Sequence, residues 1–577
     1  MAVNKVEIRS GAYYDSVILM QLQRSLAEQP GVIDAGVVMG TEANKDLLAQ
    51  SDLLAPETSA AGPDDMVVVV RADDEAKAQA ALEQVDELLT RRRQGGVDKA
   101  YHPKTMETAA KMLPAAQWVL ISVPGRYAAG VSRQALELGK HVFLYSDNVS
   151  LDDEIDLKRI AAEKGLLVMG PDCGTAIVNG VGLGFANKVR RGPIGMVAAS
   201  GTGLQQVSVR IHQMGSGLTH AFGTGGRDLS ATVKAVTAHQ ALDLLSNDPE
   251  THVIVLVSKP PSAQVADSLV EAARLVTKPV VVDFIGYAKP VRRVDNVFFA
   301  TTFDETAELA VNLAGAEAEA HALREINVER FAPGQRYLRG LFSGGTLAYE
   351  ALLILDDYLP AVYSNAPLNK DYRLVDSLIS QENTIVDLGE DEFTVGRLHP
   401  MMDNDLRIRR LEVEANDPQV AVVLLDVVLG YGAHPDPAGE LAPAIVKART
   451  AAESAGRYLE VVAVVCGTDE DPQGMDNQIT QLEESGARVE TSNDVAARFV
   501  GNLVRALDPQ RGGGEGEGAI GVDLAVLNQP LAAINVGLES FTESLAAQKA
   551  SVVHVDWRPP ASGDEKMMAI LARMKGN

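Results

Sequence analysis

The stretch Ile194-Gly195-Met196-Val197-Ala198-Ala199-Ser200-Gly201-Thr202-Gly203-Leu204 decides the fold, because the chain carries it twice. The second copy is Tyr337-Leu338-Arg339-Gly340-Leu341-Phe342-Ser343-Gly344-Gly345-Thr346-Leu347. Each begins as a short apolar run, the signature of a buried strand, and passes through a small glycine turn into a helix. A helix that starts this way has unpaired N–H groups and partial positive charge at its first turn. That is a place for phosphate or carboxylate. One such turn is equally well an ordinary helix cap, since Ser, Thr and Gly are favoured there for structural reasons. Two inside a repeat predict a paired anion site formed by Ser200, Gly201, Thr202 and Gly203 with Ser343, Gly344, Gly345 and Thr346.

The signposts around the two turns recur in the same order. Residues 191–315 continue with Gly223-Thr224-Gly225-Gly226-Arg227-Asp228, then Asn247-Asp248-Pro249 and the strands Val253 to Val257 and Val280 to Ile285. They close with a helix from Asp304 to Leu313. Residues 335–508 continue with Asp387-Leu388-Gly389-Glu390-Asp391, then Asn416-Asp417-Pro418 and the strands Val420 to Val428 and Val461 to Cys466. They close with a helix from Asp494 to Leu507. This predicts a duplicated flavodoxin-like domain. Upstream, residues 115–190 alternate short apolar strands with helices, the pattern of a Rossmann-like parallel sheet. Residues 1–112 read as a small α+β, ferredoxin-like unit with strands Val3 to Arg9 and Val32 to Met39. A Gly/Glu linker at 509–518 leads to a β-α-β-α tail, 519–577. The tail is too small to bury a good core alone. It is expected to dock on the body, on another copy or on a partner. The fold class is therefore multidomain α/β.

Composition narrows the function. The chain has 577 residues, 46% apolar and 23% charged, as in ordinary globular proteins. A net charge of −26 argues against a nucleic-acid surface. Cys173 and Cys466 are the only cysteines, so there is no disulfide framework and no zinc spacing. No metal is expected. The charged N-terminus does not read as a signal peptide, and no apolar run is long enough to span a bilayer. A cytoplasmic location without membrane contact is the expectation.

Other candidates lie in turns that leave the carboxyl ends of strands, where doubly wound sheets bind ligands. Asn148, Asp172 and Cys173 are expected to meet substrate. For Asp172 the alternative is a local cap, and for Cys173 a small buried hydrophobe. Arg227 and Asp228 are the expected catalytic pair, with a plain glycine-rich surface turn as the alternative. His434 could act as an acid or base, or simply sit exposed in its turn.

These residues carry a resemblance. Met169-Gly170-Pro171-Asp172-Cys173-Gly174 resembles the Ile-Gly-Pro-Asn-Cys-Pro turn of the succinyl-CoA synthetase α subunit. Val197 to Thr202 resembles its strand and phosphate-binding "power helix", and Gly223 to Asp228 its Gly-Ile-Gly-Gly-Asp loop. Thr277-Lys278-Pro279-Val280-Val281 matches as well. On this resemblance residues 115–190 are a CoA-binding-type domain. The second repeat resembles the carboxy-terminal domain of the β subunit, which supplies the opposing power helix. The departures are equally informative. The α subunit has a phosphorylated histidine after the Lys-Pro-Val-Val strand, yet no histidine falls between His252 and His321. The glutamate that supports it would lie in Ser258-Lys259-Pro260-Pro261-Ser262, which has none. No ATP-grasp domain is present. With its N-terminal domain, the chain resembles the FdrA family. Its tail (Ala533 to Phe541, then Val552 to Pro560) resembles the start of the YlbE-like proteins usually encoded beside FdrA.

That resemblance implies a subunit of an oxamate carbamoyltransferase. Such an enzyme splits a ureide such as oxalurate with phosphate, giving carbamoyl phosphate and an amide, in allantoin breakdown. It implies phosphate as reactant, no required cofactor, CoA as an unlikely ligand, YlbE-like partner subunits and a homo-oligomer. The other readings are an acyl-CoA synthetase and a scaffold that lost its chemistry.

Overall fold

The structure is a computed structural model that describes residues 3–11, 16–27, 29–41, 44–45, 48–49, 53–63, 65–89, 102–287, 291–315, 326–394, 398–507 and 530–557. The linker 509–518 and the expected final helix of the tail lie outside these residues.

The duplication is real at the level of topology. In the first repeat the strand Arg191–Ala199 lies between Leu218–Gly223 and Val253–Ser258, and Val280–Phe284 and Val297–Phe299 follow outward, all parallel. In the second, Tyr337–Phe342 lies between Thr384–Asp387 and Val420–Val428, followed by Glu460–Cys466 and Arg488–Glu490, again parallel. The first follows the 2-1-3-4-5 order of flavodoxin-like sheets, and the second keeps that core with a short extra strand, Tyr363–Ser364, paired outside Thr384–Asp387. The strands are continuous apolar runs because helices cover both faces. Val420–Val428 is buried along its whole length.

The repeats share one hydrophobic core. Leu204, Val207 and Ile211 of the first turn's helix, Gly201–Gln213, pack in the same cluster as Leu347, Ala351 and Leu355 of its counterpart, Gly345–Asp356. Polar ties fix their relative position. Asn187 Nδ2 donates to Asp471 at 2.8 Å and to the Leu429 carbonyl at 3.0 Å. The buried Glu350 carboxylate accepts from Phe303 N and from Asn493 Nδ2, each at 2.7 Å.

Two boundaries differ from the expectation. Thr175–Val178 and Val181–Gly184 form a hairpin on the edge of the first repeat's sheet, beside Leu218–Gly223, and do not belong to the Rossmann-like unit. That unit keeps Trp118–Ile121, His141–Leu144 and Val168–Met169, and the C-terminal tail completes it. Ala532–Val536 pairs in parallel with Trp118–Ile121, and Ser551–Val555 pairs on its far side. Ile534, Phe541 and Leu545 of the tail are 0–1% exposed. Of the three docking options, the structure shows the first: the tail sits on the body of its own chain. The N-terminal unit contributes a three-stranded antiparallel sheet with Met66–Ala72 in the middle.

The tail is held by a sheet and a core rather than by its covalent link. We therefore expect that cutting an engineered protease site within 509–518 of the folded chain leaves the tail co-eluting in gel filtration. Phe541→Ala, which removes roughly 3–5 kcal/mol of packing, should release it after the cut. Release of the unmutated tail in native buffer would contradict the assignment.

Candidate functional site

The two Ser-Gly turns meet. Ser200 Oγ donates to Thr346 Oγ1 at 2.7 Å, so the amino ends of the Gly201–Gln213 and Gly345–Asp356 helices abut. Gly344 lies against the Thr202 side chain so closely that any Cβ there would collide with it. The turns are not equivalent. Ser200 caps its helix by accepting from Gly203 N at 3.0 Å. Ser343 instead belongs to a buried carboxylate: Asp426 accepts from Ser343 N at 2.7 Å, Ser343 Oγ at 2.9 Å and Gly344 N at 2.9 Å. Arg407 pairs with that same Asp426 at 2.9 Å. The second turn's outer donors thus already hold an internal anion.

The donors left over are the N–H groups of Gly201, Thr202, Gly345, Thr346 and Leu347, for which the described residues show no acceptor. Gly201 and Gly345 are the partly open positions, and Ser200, Thr202, Ser343 and Thr346 are buried. Thr202 Oγ1 is sealed from solvent without a hydrogen-bond partner. A buried hydroxyl is normally paired, so this orphan is an unmet polar demand at the junction.

Lys259 stands over this junction. It leaves the carboxyl end of Val253–Ser258, the strand beside the first turn. Its Nζ lies 3.8 Å from where a Cβ on Gly226 would be and 3.3 Å from the same point on Gly345. It therefore bridges the glycine loop of one repeat and the helix start of the other. Its one ion-pair contact is Glu390 at 3.8 Å, and among the described residues it donates no hydrogen bond. Burial opposes its charge, but Glu390, Asp387 and Asp172 outweigh that and hold Lys259 above its ordinary value.

Two carboxyls flank the ammonium. Asp172 is solvent-exposed at the crevice mouth, with Oδ2 3.3 Å from the Gly226 position. Crowding of its carboxyl by protein raises it above its ordinary value, against the pull of Lys259. Asp387 is buried at the end of Thr384–Asp387. Its Oδ1 accepts from Gly389 N at 2.9 Å, and its Oδ2 crowds Gly345. Desolvation first, then Glu390, raise it to about 7. One histidine, His399, stands beside the same loop. Its Nδ1 accepts from Met401 N at 3.3 Å, and burial lowers it to about 3, so it is neutral with its proton on Nε2.

The other expected residues have different surroundings. Asp228 is fully buried. Lys158 at 2.6 Å and the N–H groups of Ala238 and Thr237 occupy its carboxylate, which anchors the Val236–Asn247 helix. Arg227 pairs with the buried Glu154 at 2.9 Å and donates to the Val149 carbonyl. Both lock the glycine loop to the Leu151–Glu163 helix, and in this geometry neither is a free catalytic group. Cys173 is a packing residue against Gly223 with its S–H toward the Thr175 carbonyl, and burial pushes the thiol up to about 12. Asn148 is exposed at the rim, beside Asp147. His434 is buried, pairs with Glu440 at 3.1 Å, and serves its own turn. Of the expected substrate residues, Asp172 alone faces Lys259.

A duplicated flavodoxin-like body with abutting helix starts defines a CoA-ligase-like protein. Residues 341–503 match the family described as CoA-ligase, residues 190–286 the CoA binding domain, and residues 1–104 the AllF heavy metal-associated domain. The chain is 42% identical to "Uncharacterized protein YahF" of Escherichia coli over 85% of its own length and 96% of that protein. It is 26% identical to the ADP-forming sulfoacetate-CoA ligase subunit SauD of Bilophila wadsworthia over 30% of this chain and 60% of that subunit. To the succinate–CoA ligase α subunit of Aquifex aeolicus it is also 26% identical, over 30% and 57%. The chain thus spans less than two thirds of those ligase subunits. It belongs to the FdrA/AllF-like family that includes YahF, built on succinyl-CoA synthetase-like domains. The CoA-binding match falls on the first repeat rather than on 115–190. The N-terminal match carries a metal-related name, but residues 1–104 contain no cysteine and His102 as their one histidine, so thiolate metal binding does not fit there.

Asp426 neutralises both the second turn and the buried Arg407. Asp426→Ala leaves that guanidinium without its partner charge and should cost roughly 3–5 kcal/mol in urea unfolding. An unchanged midpoint would remove this role.

Proposed function

We propose that the junction binds phosphate and that the protein is a carbamoyltransferase subunit. In this reading phosphate splits a ureide such as oxalurate into carbamoyl phosphate and an amide. The observation that carries it is Lys259. A cation that donates no hydrogen bond among the described residues occupies the stretch where the phosphohistidine ligases place a glutamate, beside two helix starts with open N–H groups. Glutamate there supports a covalently carried phosphate. Lysine there favours a free dianion. Phosphorolysis needs the anion held, the ureido carbonyl oriented and the developing oxyanion stabilised. The helix starts and Thr202 would orient phosphate, and Lys259 would balance its charge. CoA has no role in this reading. YlbE-like subunits remain the proposed partners, with a homo-oligomeric assembly.

The relatives named as CoA ligases favour a second reading, acyl-CoA formation, and one assay separates the two. The full chain, with and without its co-encoded proteins, is given oxalurate and phosphate, or an acyl acid with CoA and ATP. The expected product is carbamoyl phosphate without nucleotide. Lys259→Met should weaken phosphate binding by about 10- to 100-fold, the worth of a charge-assisted bond of roughly 1.5–3 kcal/mol. Nucleotide-dependent acyl-CoA as the sole product would overturn the carbamoyl reading.

A further inference from the structure

Phosphorolysis needs one proton moved. An unprotonated oxygen of HPO4²⁻ forms the new C–O bond, its P–OH gives up the proton, and the leaving amide nitrogen gains one as the C–N bond breaks. The junction offers few groups for this. His399 is neutral, with its free nitrogen already protonated. Both cysteine thiols are buried and far from ionising. Asp426 is consumed by Ser343, Gly344 and Arg407. Asp228 is consumed by Lys158.

Asp387 is different in kind. Its backbone is pinned on both sides by Asn365, whose Oδ1 accepts from Asp387 N and whose Nδ2 donates to Asp387 O, each at 2.9 Å. Its Oδ1 is fixed by Gly389 N. Its Oδ2 has no hydrogen-bond partner among the described residues and points at Gly345, the open start of the second helix, beside Lys259. A carboxyl with one oxygen tethered and the other free at the anion position is built to hand over a proton without reorienting. Gly345 makes the room, since a methyl there would fill the gap beside Oδ2.

We propose that Asp387 is the proton-transfer residue of this site: Oδ2 takes the proton from phosphate as it attacks the carbonyl carbon and returns it to the departing amide nitrogen. The step consumes phosphate and ureide only and yields carbamoyl phosphate and amide, so atoms and charge balance. Lys259, Glu390 and Asp426 are the charged groups facing it. With Asp387 pushed up to about 7, its two protonation states interconvert at neutral pH.

This inference rests on the carbamoyl reading, and the test keeps the two apart. Turnover of oxalurate with phosphate and equilibrium phosphate binding are measured on the full chain with its partners, for wild type, Asp387→Asn and Gly345→Ala. Asp387→Asn is nearly isosteric and should lower kcat by about 10²–10⁴-fold, the usual worth of general acid–base help. Phosphate affinity should hold or rise, since a carboxylate facing the dianion is neutralised, and the limb near neutrality in the pH profile should vanish. Gly345→Ala leaves the carboxyl intact but crowds Oδ2, and should lower kcat as well, which covers the case of an Asn variant that does not fold. If wild type turns over and Asp387→Asn does so equally, Asp387 is not the proton-transfer group and the carbamoyl reading stands. Equal loss of phosphate binding and kcat would make Asp387 an anion-site residue instead. If wild type forms no carbamoyl phosphate, both ideas fall together.

Discussion

Two helix amino ends brought into contact is an arrangement that electrostatics resists. Each carries about half a positive charge. The Ser200–Thr346 hydrogen bond of 2.7 Å sets them together, and Lys259 adds a full charge nearby. The structure offsets this excess with carboxylates. Asp426 takes the outer donors of the second turn, and Asp387, Glu390 and Asp172 surround the lysine. Acidic residues around a proposed phosphate site are therefore part of its balance, because without an anion bound something must stabilise the clustered positive ends.

The same balance explains why the repeats diverged. The first turn is capped by its own serine and stays open at Gly201. The second gives its serine to Asp426 and opens one residue later, at Gly345. The shift from Ser-Gly-Thr-Gly to Ser-Gly-Gly-Thr is small in sequence, yet it moves the free donors toward Lys259 and Asp387. The shared core of both helices holds this offset in place.

The repeat could be read from the chain because its signposts are local: strand, turn and helix follow one another within a few residues. The pairing of the turns followed from the repeat itself. The tail's place could not be read, since parallel pairing between Ala532–Val536 and Trp118–Ile121 joins segments some 400 residues apart without a local signal. Lys259 was visible only as a missing glutamate. Its position just after a central strand, in Ser-Lys-Pro-Pro, was the available clue. Asp387 opens the loop matched to Gly223–Asp228, but a lone aspartate there is a weaker sequence signal than the charged pair Arg227-Asp228. Those two turned out to fasten the loop, because Lys158 and Glu154, on a helix of another domain, claim them.

The central claim is that a free phosphate belongs between the two helix starts. A crystal structure of the full chain grown with inorganic phosphate tests it most directly. Density is expected within hydrogen-bond reach of Lys259 Nζ, Thr202 Oγ1 and the Gly345 N–H, and is expected to vanish in Lys259→Met crystals. Phosphate bound elsewhere, with this junction closed and empty at saturating concentration, would contradict it.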